Sequence, residues 1–167
     1  FRGFAAAKVT IVEFSNFQCP YCLSSWMKMK EFLEKYPRGI KYVFKHYPFQ
    51  SQKQSFDFSV MVAAVQEVSN EAFWLIHDFM FSNEGQTLAK GDKAAAKQKI
   101  EEMLKEKGYD VKAFQDALET GKGQRRVEED MAVGSKIKVK GTPTTILNGS
   151  YIVGPLADKV LEGFIGK

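Results

Sequence analysis

The chain has 167 residues, which suits one domain or one domain carrying an insertion, and its apolar share and plentiful phenylalanine allow a sizeable core. Its net charge of +4 is mild, with lysines spread among glutamates, so the concentrated basic stripe of a nucleic-acid binder is absent. No apolar run approaches membrane-spanning length, and the start at Phe1 without an initiator methionine is expected of a processed or excised piece, with room for a signal peptide or anchor before it.

Residues 8–14, with β-branched and apolar types from Val9 to Phe14, predict a first strand. A helix follows over 20–36, its apolar face carried by Cys22, Trp26, Met29, Leu33 and Tyr36 and its end marked by Pro37-Arg38-Gly39. Ile40 to Tyr47 predicts a second strand, ended by Pro48. Phe56 to Val68 and Glu71 to Phe81 predict two helices separated near Ser69-Asn70, the second broadly apolar through Phe73, Trp74, Ile76, His77, Met80 and Phe81. Ser82 to Gly91 predicts a loop. Helices are then expected over Lys93–Lys107, Val111–Glu119 and Gly123–Lys136. Thr144–Leu147 and Ser150–Val153 flank Asn148-Gly149, a two-residue hairpin signal, and a last helix runs from about Leu156 to Ile165. The order is β-α-β, a helical block, then β-β-α.

The only two cysteines form Cys19-Pro20-Tyr21-Cys22 at the junction of the first strand and helix. Three residues apart, they lie one helical turn apart and can be bridged. Cys19 meets the unpaired N–H groups and positive dipole end of the helix, which favour thiolate over thiol. Strand, C-x-x-C and helix in this order make a dithiol/disulfide exchange site. A zinc site is the rival, but it needs further ligands, and only His46 and His77 remain, far apart and each alone. A structural disulfide is the other alternative, although so small a loop makes a poor staple. Cys19 is the expected nucleophile and the more exposed thiol, with Cys22 as the buried resolving thiol. Pro20 suits the first helical turn, where its missing N–H costs nothing. Tyr21 either tunes the redox poise and touches substrate or is a plain exposed aromatic.

Glu13 interrupts a strand that otherwise reads as covered on both faces, so its pKa is expected to be raised; the alternative is a solvated carboxylate near a strand end. His46 is expected at the surface at a strand end, and His77 in the core or at a cap. Met27, Met29, Met61 and Met80 follow helical spacing and read as core, while Arg125-Arg126 reads as a solvated face.

Four segments together resemble the DsbA-type members of the thioredoxin superfamily. They are Val9 to Cys22, Tyr42-Val43-Phe44-Lys45-His46-Tyr47-Pro48, Phe73-Trp74 with His77-Asp78, and Gly141-Thr142-Pro143-Thr144 followed by Asn148-Gly149. The resemblance implies an α/β thioredoxin fold interrupted by an inserted helical domain. It divides the chain into 1–53 (thioredoxin, first part), 54–136 (helical insertion) and 137–167 (thioredoxin, second part). It also implies that Thr142-Pro143 is a cis-proline loop standing beside Cys19 and offering backbone groups to an extended substrate. Glu13 matches an acidic residue that moves protons to and from the buried thiol. Lys45 resembles its partner, and Lys41 has the same strand parity.

The function implied is an extracytoplasmic thiol–disulfide oxidoreductase of the bacterial periplasm or cell envelope, acting on unfolded or partly folded protein thiols as a monomer. It needs no metal or organic cofactor and no nucleic acid. A dithiol oxidase would be reoxidised by a quinone-linked membrane partner of the DsbB or VKOR kind. Pro-Tyr inside the motif and threonine before Pro143 differ from the strongest oxidants and resemble the DsbC and DsbG isomerases. A mild oxidase is therefore expected, with isomerase or reductase as the alternative. A peptide-binding or chaperone module with a structural disulfide is the alternative of another class.

Overall fold

The computed structural model describes residues 1–49 and 51–165. Strand β1 (Arg2–Gly3) precedes β2 (Val9–Ser15), α1 (Pro20–Lys35) and β3 (Ile40–His46). A helical block follows: α2 (Lys53–Ala64) with a 3-10 turn at Val65–Glu67, α3 (Asn70–Met80), α4 (Asn83–Ala89), α5 (Lys93–Glu106), α6 (Val111–Glu119) and α7 (Lys122–Lys136). The chain then returns through β4 (Thr144–Leu147), β5 (Ser150–Val153) and α8 (Asp158–Ile165). Among the described residues the strands form one sheet in the order β1-β3-β2-β4-β5. β2 and β3 are parallel, and the other neighbours are antiparallel. This is a thioredoxin fold with helices inserted between β3 and β4. No helix among the described residues is long and apolar enough to cross a membrane.

The period-two alternation of β2 and β3 gives the sheet two unlike faces. Ile11 and Glu13 share one face with their cross-strand neighbours Tyr42 and Phe44, and with Thr145 and Leu147 of β4. That face meets α1 and α3: Tyr42 packs on Trp26 and Trp74, and Phe44 packs on Phe73, His77 and Phe81. Phe14 and Lys45 point the other way, toward α7, where a side chain in place of Gly134 would collide with the Tyr47 ring and press on Phe14. Lys45 fastens this side by pairing with Asp130 at 2.6 Å. The short β1 fastens the first side. Arg2 donates to both carboxylate oxygens of Asp78 (3.0 and 2.9 Å) and lies over the Trp74 ring at 4.8 Å.

The hairpin turn falls on Asn148 (φ 45°) and Gly149 (φ 88°), the left-handed pair that a tight two-residue hairpin requires. Three local expectations are corrected. The segment 82–91 holds helix α4 rather than only loop, with the Ser82 hydroxyl accepting from the Gly85 N–H at 3.1 Å as a helix cap. Helix α1 buries Phe32 and leaves Leu33 only partly covered. Met27 is 53 % exposed, whereas Met29, Met61 and Met80 are core.

Gly85 is required by close packing. An added Cβ would run into the Phe79 carbonyl oxygen, and backbone there cannot swing aside. Gly85→Ala is expected to cost about 3 kcal/mol of stability in urea unfolding. An unchanged urea midpoint would show that α4 can shift outward.

Candidate active site

Cys19 is the N-cap of α1 (φ −91°, ψ 119°), and Pro20 opens the helix. No side chain caps this end. The Cys22 and Leu23 N–H groups turn back to the Cys19 carbonyl at 3.0 and 3.1 Å. The Cys19 thiol lies against the loop before β4, donating to the Thr142 carbonyl at 3.3 Å, and the Thr142–Pro143 bond is cis. Both cysteines are free thiols, and the difference in exposure is slight: Cys19 is 3 % exposed and Cys22 0 %. The 141–143 loop shelters Cys19 more than a helix start alone would.

The two thiols are driven apart in acidity. A hydrogen bond from the Cys22 thiol pulls the Cys19 pKa well below its ordinary value, against burial, and Thr142 and the helix-start N–H groups of Cys22 and Tyr21 add to this. Burial drives Cys22 far upward, and the charge of Cys19 adds to it. One thiolate beside one retained proton is the arrangement that thiol–disulfide exchange uses.

Glu13 is buried under α1. Burial pushes its carboxyl up to about 7, partly offset by the Ser25 hydroxyl, which donates to Oε2 at 2.7 Å. Lys45 is not its partner. Glu13 stands opposite Phe44, and Lys45 stands opposite Phe14, so the lysine projects from the other face and pairs with Asp130. Lys41 stands opposite Thr10, on that same far face. The slip is one residue, and in a strand one residue reverses the face.

Tyr21 is 65 % exposed beside the cysteines. His46 is fully buried rather than a surface residue, packed against Phe17, Phe44 and Phe73, with both ring nitrogens unpartnered. His77 is also buried in this aromatic cluster, with Nδ1 3.2 Å from Asp78 Oδ1. Among the described residues no group of His, Cys, Asp and Glu is placed to hold a metal ion.

Four contributors carry no role in the sequence reading. Ser25 holds Glu13. Gln86 donates to the Phe17 and Met80 carbonyls (2.7 and 2.8 Å), and Gln18 donates to the Ala89 carbonyl, so α4 grips the segment leading into Cys19. Asn16 closes the loop, its Oδ1 accepting from the Gln18 N–H and the Ser55 hydroxyl. A serine three residues beyond Cys22, on the inward stripe of α1, was the available signal for the first.

The thioredoxin family model matches residues 1–167. The chain belongs to the thioredoxin family. Within that family it is DsbA-like. It is 25 % identical to the probable disulfide bond formation protein D of Bacillus cereus, over 86 % of this chain and 67 % of that one. It is also 28 % identical to the Na(+)/H(+) antiporter NhaA 1 of Salinispora arenicola, over 99 % of this chain but 24 % of the antiporter. This thioredoxin-family chain therefore spans about a quarter of the length of that relative. The crystal structure of the thiol-disulfide exchange protein alpha-DsbA2 from Wolbachia pipientis shares its fold. The TM-score is 0.79 at 22 % identity, covering 99 % of this chain and 84 % of that one.

Proposed function

We propose that the chain is a protein thiol–disulfide oxidoreductase working through Cys19 and Cys22, with dithiol oxidation as its net direction. The observation that carries the reading is the Cys19 thiol at the start of α1, depressed in pKa and set against the Thr142 carbonyl of the cis-proline loop. In the oxidising direction a substrate thiolate attacks the Cys19 sulfur of the Cys19–Cys22 disulfide. A bond forms between substrate and Cys19, the disulfide breaks, and Cys22 leaves as a thiolate that takes a proton from Glu13. A second substrate thiolate then attacks the substrate sulfur of this mixed disulfide and releases Cys19 as thiolate. In reverse, Cys22 gives its proton to Glu13 and resolves the mixed disulfide. Thr142 and Pro143 receive the substrate strand, and Pro20 and Tyr21 frame the site.

The substrates proposed are unfolded or partly folded protein thiols in an extracytoplasmic compartment, met by a monomer. A quinone-linked membrane partner of the DsbB or VKOR kind would restore the disulfide. Residues 54–136 form the helical insertion, flanked by 1–53 and 137–167 as the two parts of the thioredoxin domain. The deciding experiment is the equilibrium potential of the Cys19–Cys22 couple against glutathione, with insulin reduction and ribonuclease refolding beside it. A potential above the cytosolic glutathione pool supports oxidation; one equal to that pool moves the assignment to reductase or isomerase.

Glu13→Gln separates the proton role from the fold. The carboxyl rises from 4.5 to about 7 on folding, so the folded state holds the extra proton between these values. Stability contributed by Glu13 is therefore present below 4.5 and lost as pH rises through 7. Removing the charge is expected to stabilise the protein by about 3 kcal/mol above pH 7 and to slow resolution of the mixed disulfide near neutrality. Unchanged single-turnover kinetics would remove Glu13 from the mechanism.

A further inference from the structure

Glu13 sits in an unusual cage. From α1 it faces Ser25, from β3 Tyr42 and Phe44, from β4 Thr145, and along β2 Ser15; the charge that acts on it is the Cys19 thiolate. Among the described residues no basic side chain is within ion-pair distance of it. The Ser15, Tyr42 and Thr145 hydroxyls and Glu13 Oε1 have no hydrogen-bond partner. The donor in full hydrogen-bond geometry is the Ser25 hydroxyl, 2.7 Å from Oε2, while the Ser15 and Tyr42 hydroxyls stand near enough to help hold the carboxyl pKa down to a lesser degree.

We propose that Ser25 is the positioning residue for Glu13: it occupies Oε2 and so leaves Oε1 as the oxygen that takes and returns the Cys22 proton. The proposal rests on the exchange reaction above and says how its proton carrier is held without a cation. A hydroxyl has one proton to donate. A serine inside a helix ordinarily turns it to the carbonyl four residues back, as Ser24 does to Pro20 at 3.2 Å. Ser25, buried one turn beyond Cys22, sends it across to β2 instead. A bond to the ionised carboxylate is stronger than one to the neutral acid, so this hydroxyl favours the form that accepts a proton. The proton then settles on Oε1, whose acceptor sites are open.

The test is the titration of Glu13 in the reduced protein, followed by carbon-13 NMR of labelled glutamate, in the native chain, Ser25→Ala and Ser25→Thr. Alanine is the best helix former, so α1 is retained. Ser25→Ala is expected to raise the Glu13 midpoint by about one pH unit, which cuts the carboxylate present at pH 7 about fivefold and slows single-turnover resolution in proportion. Ser25→Thr, which keeps the hydroxyl, is expected to restore the native midpoint. A native midpoint in Ser25→Ala, or the same rise in Ser25→Thr, overturns the proposal even where insulin reduction persists. If the midpoint moves but the native chain exchanges no disulfides, the oxidoreductase reading fails and takes the proton role with it, while the Ser25–Glu13 bond stands.

Discussion

Replacing Cys19 by serine is expected to reduce insulin reduction and ribonuclease refolding to the background rate, while Cys22→Ser still captures substrate as a mixed disulfide that it cannot release. The asymmetry follows from acidity. An ordinary thiol of pKa about 8.5 is only a few per cent ionised at pH 7. Cys19 lies well below that value because the Cys22 thiol, the Thr142 loop and the N–H groups of the helix start stabilise its anion. Cys22 lies above it because burial retains its proton. Cys19 is therefore the nucleophile that enters a substrate disulfide and the thiolate released in the last step, whereas Cys22 acts only within the protein, with Glu13 handling its proton. Alkylation of the reduced protein against pH should show a Cys19 midpoint well below 8.5 and no Cys22 reaction in that range. The same argument sets the poise: whatever stabilises the thiolate favours the reduced form and makes the disulfide a better oxidant. A Cys19 midpoint at or above the ordinary value, or exchange by Cys19→Ser, would defeat both the assignment of the nucleophile and the direction.

The second large effect is acid collapse of the aromatic core. Burial lowers His46 to about 3, helped by repulsion from His77, and lowers His77 to about 4 against the attraction of Asp78. Both imidazoles are neutral when folded, whereas the unfolded chain protonates them below about 6.5. The unfolded state then binds more protons, so stability is lost as pH falls from 6.5 toward 4. At pH 4.5 the two histidines together cost about 5 kcal/mol. Glu13 works in the opposite sense between 7 and 4.5 and offsets about 3 kcal/mol of that. Below 4.5 its contribution is constant and the histidines continue alone. Urea midpoints should therefore decline gently from pH 7 to about 5 and drop steeply below. His46→Leu, which removes a ring with two unpartnered nitrogens, should push the steep limb to lower pH. Equal midpoints at pH 4 and 6.5, or an unchanged limb in His46→Leu, would refute this account.

The parts legible in the sequence were those fixed by local chemistry. Asn148-Gly149 marks its turn because few residues tolerate left-handed backbone, and Cys19-Pro20-Tyr21-Cys22 marks a helix start because proline tolerates no other place in a helix so well. The misreadings concern quantities that local chemistry does not set. Lys45 is matched to Glu13 by the family resemblance alone, and the β2–β3 register, a tertiary property, sets it one residue off and on the other face. His46 reads as a surface residue because it ends a strand, yet Phe17, Phe44 and Phe73 close around it. The segment 82–91 reads as loop although it holds α4, and Gly85 is there so that the helix can lie against Phe79. Ser25 shows in the sequence only as a serine on the inner stripe of α1, and that hydroxyl acquires meaning only once a carboxylate is found beneath it.

The two-faced sheet makes strand length, more than strand composition, the quantity this protein must protect. Inserting or deleting one residue between Val9 and Ser15 would carry Glu13 to the side of Lys45 and Asp130, and bring Phe14 beneath the thiols. A substitution in β2 alters one contact, whereas a change of length exchanges the whole electrostatic lining of the site for hydrocarbon. An extra residue is expected to be tolerated in a connection such as residues 4–8 before β2, where it leaves the order of inward and outward side chains unchanged.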